Sequence, residues 1–377
     1  MDAFGSMIGR PNRLRFAAAG MASFALAAVS AHAAQELTVA PKTRMFEITM
    51  RYAFSTFPQE AQAYDYWFPM PLQDDRQWIY NRVIIAAYPV DFILLPDTGT
   101  ELIHMKSGPR AQVPMSFKLT LDVERREDLR NDFRAPKAKL SAEEQKAAKE
   151  IAARWLQPEK LIPIDAAAKS RASAITAGKK TPLDKARAIY EHITDKMTLL
   201  AGPGQVPGAG GGSLAFVLRE NKGDSLDLAS GFVGLCRAAG IPARSIVGFQ
   251  VPHGVPNGKI SSYSGWAEFY LEGIGWVPVD LAEGIRNIGR RSYYFGALDE
   301  NRVALSVGRD IVLAPPQSGP PLNWFTYPYW EADGERMPAP GVEVMFVSET
   351  SIQNRTGAMV PSPAKPYEPP APTKTPG

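Results

Sequence analysis

Residues 222–244 read KGDSLDLASGFVGLCRAAGIPAR and are the most informative segment for the architecture of this chain. Asp224 and Ser225 are both residue types that favour the N-cap of a helix, and Gly240 is the type that commonly ends one. Apolar residues recur between these ends at helical spacing. The segment therefore predicts a buried helix whose first turn carries the hydroxyl group of Ser225.

Two strand-like segments follow this helix. The first reads YSGWAEFY at residues 263–270 and the second reads GWVPVD at residues 275–280. The glycine-rich residues 272–275 predict a tight turn between them. Asp280 is therefore expected near the end of a strand that lies beside the strand of Ser264.

Together these motifs resemble the transglutaminase-like superfamily, a papain-related group of Cys-His-Asp enzymes. Ser225 stands where the family pattern has its reactive cysteine, and Ser264 stands where the H-x-W-A-E pattern has its histidine. Asp280 occupies the position of the third triad member. The resemblance runs from about Ala186 to Tyr329 and implies a papain-like core.

The two substitutions remove the chemistry that the resemblance would otherwise imply. A hydroxyl is far less acidic than a thiol and needs an adjacent base, and Ser264 cannot act as one. In triads of this kind, loss of the nucleophile or the base costs roughly a million-fold in turnover. We therefore expect no catalytic residue at the degenerate positions Ser225, Ser264 and Asp280. As purely structural residues, Ser225 would cap its helix and Asp280 would be a hydrogen-bonded carboxylate at the end of a strand.

The predicted function is a non-catalytic protein that binds a peptide, protein or cell-wall component in the inherited cleft. Its binding residues would be Ser225, Ser264, Trp266 and Asp280. One alternative is a cysteine-independent hydrolase (peptidase or amidase) or acyl-transferase, in which His253 serves Ser225 as a rebuilt base. Another is a purely structural role, in which the β-domain and a proline-rich tail dock partners.

The predicted fold class is α+β, with an Ig-like β-sandwich before the core. Residues 1–33 have the basic start, apolar run and A-x-A end of a secretory signal peptide, which predicts cleavage between Ala33 and Ala34 and a periplasmic or secreted protein. Residues 34–130 are expected to form the sandwich, and residues 138–350 the core with a C-terminal β extension. Residues 351–377 are a proline-rich segment expected to be disordered.

Composition excludes several classes of function. The chain has 42 basic and 39 acidic residues, and removal of residues 1–33 leaves 39 and 38, so a nucleic-acid partner is not expected. Cys236 is the only cysteine, and its helical spacing with apolar residues predicts a buried small side chain. The three histidines of the mature chain lie far apart in sequence, which argues against a metal site. No cofactor is expected, and no transmembrane segment after signal cleavage.

Overall fold

The computed structural model describes residues 40–109, 115–130, 133, 140–200, 211–261, 263–349 and 365–366. The predicted signal peptide and its cleavage site lie outside these residues, as does the proline-rich segment apart from Lys365–Pro366. The described residues from Pro41 onward belong to one compact unit. Within the described ranges, no helix is both long and apolar enough to cross a membrane.

The elements confirm the predicted α+β class. The strands, in chain order, are β1 Thr43–Phe54, β2 Tyr64–Pro69, β3 Gln77–Ile85, β4 Val90–Leu95, β5 Thr100–Ser107, β6 Met115–Arg126, β7 Asp128–Leu129, β8 Thr198–Leu199, β9 Lys222–Gly223, β10 Ala243–Gln250, β11 Asn257–Ile260, β12 Tyr263–Leu271, β13 Gly275–Val279, β14 Ala297–Leu298, β15 Arg302–Val307, β16 Tyr329–Ala332, β17 Glu335–Arg336, β18 Gly341–Glu349 and β19 Lys365–Pro366. The helices are α1 Ala142–Trp155, α2 Ala166–Ile175, α3 Pro182–Lys196, α4 Leu214–Glu220, α5 Ser225–Ala238 and α6 Leu281–Arg286, with a short 3₁₀ helix at Ile288–Arg290.

Two sheets bury a shared aromatic core. One has the strand order β11-β18-β1-β6-β3 and the other β17-β16-β2-β5-β4-β19. Alternate residues of β1 are buried, because successive side chains of a strand point to opposite faces. Phe54 of β1 packs edge-on against Tyr66 and Phe68 of the other sheet, with ring centroids 5.3 and 6.0 Å away.

Strands from the C-terminal part of the chain complete both of these sheets. β18 pairs antiparallel with β1 and with β11, and β16 pairs antiparallel with β2. The described dipeptide of the proline-rich segment, Lys365–Pro366, pairs in parallel with β4. The C-terminal β extension therefore shares the sheets of the N-terminal strands, while the domain boundaries given above stay a prediction.

The transglutaminase-like core predicted from the sequence is built around α5 and a four-stranded antiparallel sheet of order β13-β12-β10-β15. Every residue of α5 from Ser225 to Arg237 is buried, because helices α2, α3 and α4 and strands β10 and β12 all pack against it. Two other helices also have side-chain caps: Ser141 forms a capping box with Glu144, and Thr181 caps the helix that begins at Pro182. The sheet and α5 together determine the position of the candidate site.

Candidate functional site

The N-terminus of α5 is held by two carboxylates. Asp224 is the N-cap residue, and its Oδ1 accepts hydrogen bonds from the backbone N–H groups of Leu226 at 2.9 Å and Asp227 at 3.0 Å. Asp227 returns the interaction by accepting from the Asp224 N–H at 3.2 Å. Burial raises the pKa of Asp224, and the hydrogen bonds from the Asp227 and Leu226 amides oppose that rise. Asp224 is therefore the residue that caps α5. The Ser225 side chain does not cap the helix and makes a different contact.

Ser225 is the first residue of α5 and is only 5% exposed. Its Oγ accepts a hydrogen bond from the backbone N–H of Gly265 in β12, at 3.1 Å. Among the described residues, none accepts a hydrogen bond from the Ser225 hydroxyl. The hydroxyl is thus placed where a nucleophile would stand, with a donor beside it and no base.

Glycine at position 265 allows this close contact between helix and strand. A Cβ there would lie 2.7 Å from Leu226 Cδ2 and 3.0 Å from Leu226 Cα, so a larger residue would push α5 away from β12. Gly265 was not among the predicted site residues. The available signal was a glycine inside a strand, which often marks a close backbone approach.

Ser264 and Trp266 lie on the face of β12 opposite Gly265, because side chains alternate along the strand. Ser264 is partly buried and Trp266 is 1% exposed. No hydrogen bond joins the Ser264 side chain to Ser225 or Asp280 in the part of the chain that the structure describes. Trp266 is therefore a wall residue under the sheet and not an exposed recognition residue.

Asp280 follows the last residue of β13 and caps α6. It is fully buried, and its Oδ1 accepts a hydrogen bond from the Glu283 N–H at 2.9 Å. Its Oδ2 accepts a hydrogen bond from Nη2 of Arg302, which is also fully buried. A guanidinium thus binds the carboxylate that would orient a triad histidine.

The charges of this pair depend on burial and on neighbouring groups. Burial raises the pKa of Asp280, although Arg302 acts to lower it. Burial also lowers the pKa of Arg302, but the carboxylates of Asp280, Asp299 and Glu283 outweigh that and raise it overall. Arg302 therefore remains a fixed cation beside Asp280. Arg302 was not predicted as a site residue, since nothing in the sequence around it marks it as a partner of Asp280.

The remaining candidate residues lie elsewhere. His253 is exposed in the loop between β10 and β11, where the neighbouring Pro252 carbonyl accepts a hydrogen bond from Arg44 at 3.0 Å. Among the described residues, no hydrogen bond connects His253 to Ser225 or Asp280. Cys236 is fully buried and burial raises the pKa of its thiol well above its usual value, in agreement with the predicted buried side chain. The described ranges contain no group of three or more potential metal-binding side chains of His, Cys, Asp or Glu.

Residues 169–281 match the family model of the transglutaminase-like superfamily. These residues form a transglutaminase-like domain. The match begins in α2, includes α5, Ser225 and Ser264, and ends one residue after Asp280. The resemblance inferred from the sequence is therefore confirmed, whereas the consequence of the two serines for catalysis is not tested by this match.

Further similarity was found to a curated protein and to solved structures. The chain is 36% identical over 191 residues to an uncharacterized protein of Haemophilus influenzae, a match that covers 42% of this chain and 51% of the relative. The chain thus spans about half the length of the curated relative that it matches. A solved structure described as "a Putative Cysteine Protease from Cytophaga hutchinsonii" superposes with a TM-score of 0.52 at 16% identity, over 81% of this chain and 91% of that one. The periplasmic domain of TgpA from Pseudomonas aeruginosa gives a TM-score of 0.32 at 18% identity, over 65% and 90%.

Proposed function

We propose that this chain is an exported transglutaminase-like protein that does not catalyse acyl transfer. It binds a peptide, protein or cell-wall component at the inherited site around Ser225, Ser264, Trp266 and Asp280. The observation that carries the proposal is that the Ser225 hydroxyl has no proton acceptor among the described residues, while the Asp280 carboxylate is paired with Arg302. The basic and apolar segment at residues 1–33 supports export.

The chemistry of an acyl transfer needs a deprotonated nucleophile and a base that carries its proton. A serine nucleophile depends on that base entirely, because its own pKa is far above neutral pH. The hydrogen bond from the Gly265 N–H stabilises the Ser225 oxygen but removes no proton. A general base must lie within about 3 Å of the group that it deprotonates, directly or through one water. Neither Ser264 nor the paired Asp280 meets that requirement.

The first experiment measures turnover by the natural protein. We expect no hydrolysis or aminolysis of activated esters and peptide amides beyond that of the Ser225→Ala variant. Turnover lost in both Ser225→Ala and His253→Gln, but retained in His192→Gln, would establish the alternative hydrolase. Turnover lost in Ser225→Ala alone would also contradict the proposal, because the hydroxyl would then be reactive by some other route.

The second experiment tests binding at the inherited site. Purified protein is sedimented with cell-wall sacculi and titrated with short peptides, and retention is compared between Ser264→Arg and Ser261→Arg. Ser264 is partly buried beside the site, whereas Ser261 is exposed three residues away and serves as the matched control. We expect only Ser264→Arg to reduce binding. Equal retention of both variants would favour the structural role, in which the core spaces other binding surfaces.

A further inference from the structure

A cavity lies under the core sheet, on the face that carries Trp266 and away from the Gly265 face of β12. Its volume is about 310 Å³, at the lower end of the range for ligand pockets. Trp266 and Trp276 form aromatic walls, and Leu72, Ile246 and Val307 add apolar surface. Of the four residues proposed for the inherited site, Trp266 lines this cavity, whereas Ser225, Ser264 and Asp280 do not.

Charged side chains from both the sandwich and the core also line the cavity, and most of them are paired. Arg244 binds Glu268 at 2.7 Å, and Arg76 binds Asp128 at 3.1 Å. Arg130 binds both Asp128 and Asp75 at 2.9 Å. The last acidic side chain of the wall, Asp74, accepts hydrogen bonds from the backbone N–H groups of Arg76 and Gln77. Every carboxylate of the wall therefore already has a partner.

Arg125 is the exception among the cationic side chains of this wall. It is only 4% exposed, and its guanidinium forms no hydrogen bond or ion pair with any residue that the structure describes. It lies on the inward face of β6, as do Leu121 and Val123. Arginine side chains are almost never fully buried without a partner, because desolvating an unpaired charge is costly. The wall thus carries four guanidinium groups and four carboxylates, and Arg125 is the one guanidinium without a side-chain partner among the described residues, in a cavity that two indole rings also line.

We propose that this cavity binds a small organic carboxylate with an aromatic or branched apolar body. A guanidinium binds a carboxylate through two parallel hydrogen bonds, and Arg125 is the group that can supply them. Trp266 and Trp276 would enclose the apolar body. A single carboxylate would give Arg125 the hydrogen-bonding partner that it lacks, whereas a dianion would be repelled more strongly by the four carboxylates that line the cavity. The Asp75 side chain is 70% exposed, which places one edge of the cavity at the surface where a ligand can enter.

The test uses 3-phenylpropionate, whose eleven heavy atoms suit the volume, and its neutral analogue 3-phenylpropanamide. Both are titrated into the full-length protein by calorimetry, with tryptophan fluorescence as a second signal. We expect saturable binding of the carboxylate and at least about tenfold weaker binding of the amide, from the loss of charge-assisted hydrogen bonds. Arg125→Gln should remove that preference. The matched control is Arg126→Gln, which changes the next residue of β6, whose guanidinium stacks on Trp78 at 4.6 Å and lies outside the cavity.

A third variant, Val307→Phe, fills the cavity without changing its charge and should weaken binding of both compounds. Thermal unfolding of each variant shows whether it is folded. If Arg125→Gln does not fold, the result for Val307→Phe decides the outcome. The proposal is overturned if the carboxylate does not bind at millimolar concentration, or if the amide binds equally well. Equal effects of Arg125→Gln and Arg126→Gln, or full affinity in Val307→Phe, would also overturn it. None of these measurements depends on the Ser225 site.

Discussion

Replacing Arg302 by methionine should destabilise the protein more than any surface charge change. The substitution preserves most of the side-chain volume but leaves the Asp280 carboxylate buried without its cation. Removal of one partner of a buried ion pair costs about 3–5 kcal/mol. Asp280→Asn should cost less, about 1–3 kcal/mol, since Arg302 retains the favourable influence of Asp299 and Glu283. The double variant Arg302→Met with Asp280→Asn should recover part of the lost stability, because neither charge is then buried without its partner.

The cost of Arg302→Met should also depend on pH. Burial already raises the pKa of Asp280 in the folded protein, and Arg302 is the group that lowers it, so the substitution raises that pKa further. A carboxyl whose pKa is higher in the folded state contributes stability below its unfolded pKa of about 3.9, and this is lost as pH rises through the folded value. The difference between variant and natural protein should therefore be small near pH 4 and grow toward pH 7.

Urea unfolding at pH 4.5 and pH 7, monitored by tryptophan fluorescence, measures both effects. The matched control is Arg286→Met, which breaks the ion pair between Arg286 and Glu283 at a side chain that is 47% exposed. This control should cost less than about 1 kcal/mol. A loss below 1 kcal/mol for Arg302→Met, or a loss that is equal at the two pH values, would refute the view that Asp280 is a charged group held by Arg302.

Three further results are expected. Gly265→Ala should destabilise by about 1–3 kcal/mol in a denaturant titration, because its Cβ would press on Leu226, whereas Gly289→Ala, with nothing within 4 Å of its Cβ, should change stability by less than about 0.5 kcal/mol. The Cys236 thiol should react with a chromogenic disulfide reagent only as the chain unfolds, since it is buried and its pKa is raised; stoichiometric labelling under native conditions would contradict this. Asp224→Ala should cost about 1–2 kcal/mol by thermal unfolding, through loss of the α5 cap, and an unchanged transition would assign the cap to another residue.

Local chemistry in the sequence was sufficient to predict the elements of the core. The N-cap residue types and Gly240 marked the two ends of α5. The glycines at 273 and 275 adopt the positive φ that the turn before β13 requires. These features act over a few residues, so they can be identified without knowledge of the rest of the chain. Asp280 at a strand end followed from the same kind of argument.

Contacts between distant parts of the chain could not be derived in this way. Arg302 reaches Asp280 only because β15 pairs with β10, and the register of that pair shifts between Val247 and Gly248. Strand β18 lies beside β1 although about three hundred residues separate them. A period-2 pattern marks such segments as strands but does not name their neighbours. The charge at the candidate site was therefore invisible to sequence reasoning, even though the site's backbone was predictable.

The Arg302–Asp280 pair bears on whether the inherited chemistry can be restored. In a triad, the carboxylate orients the imidazole and stabilises the imidazolium, but here the guanidinium of Arg302 already neutralises Asp280. We consider a variant that combines Ser225→Cys with Ser264→His in a Cys236→Ala background. Its new imidazole would face a carboxylate that Arg302 already neutralises, so Asp280 would stabilise the imidazolium only weakly. Adding Arg302→Gln frees that carboxylate, and the new imidazolium can replace the lost cation.

We therefore expect the variant that also carries Arg302→Gln to be alkylated by iodoacetamide faster than the variant that retains Arg302, by about tenfold for each unit of lowered thiol pKa. The introduced histidine should also reduce the stability cost of Arg302→Gln, because a protonated imidazole would again pair with Asp280. Equal alkylation rates, with no recovery of stability, would mean that a side chain at position 264 does not reach Asp280. In that case Asp280 serves only to cap α6 and to pair with Arg302. The absence of catalysis would then follow from the geometry of the site as well as from its two serines.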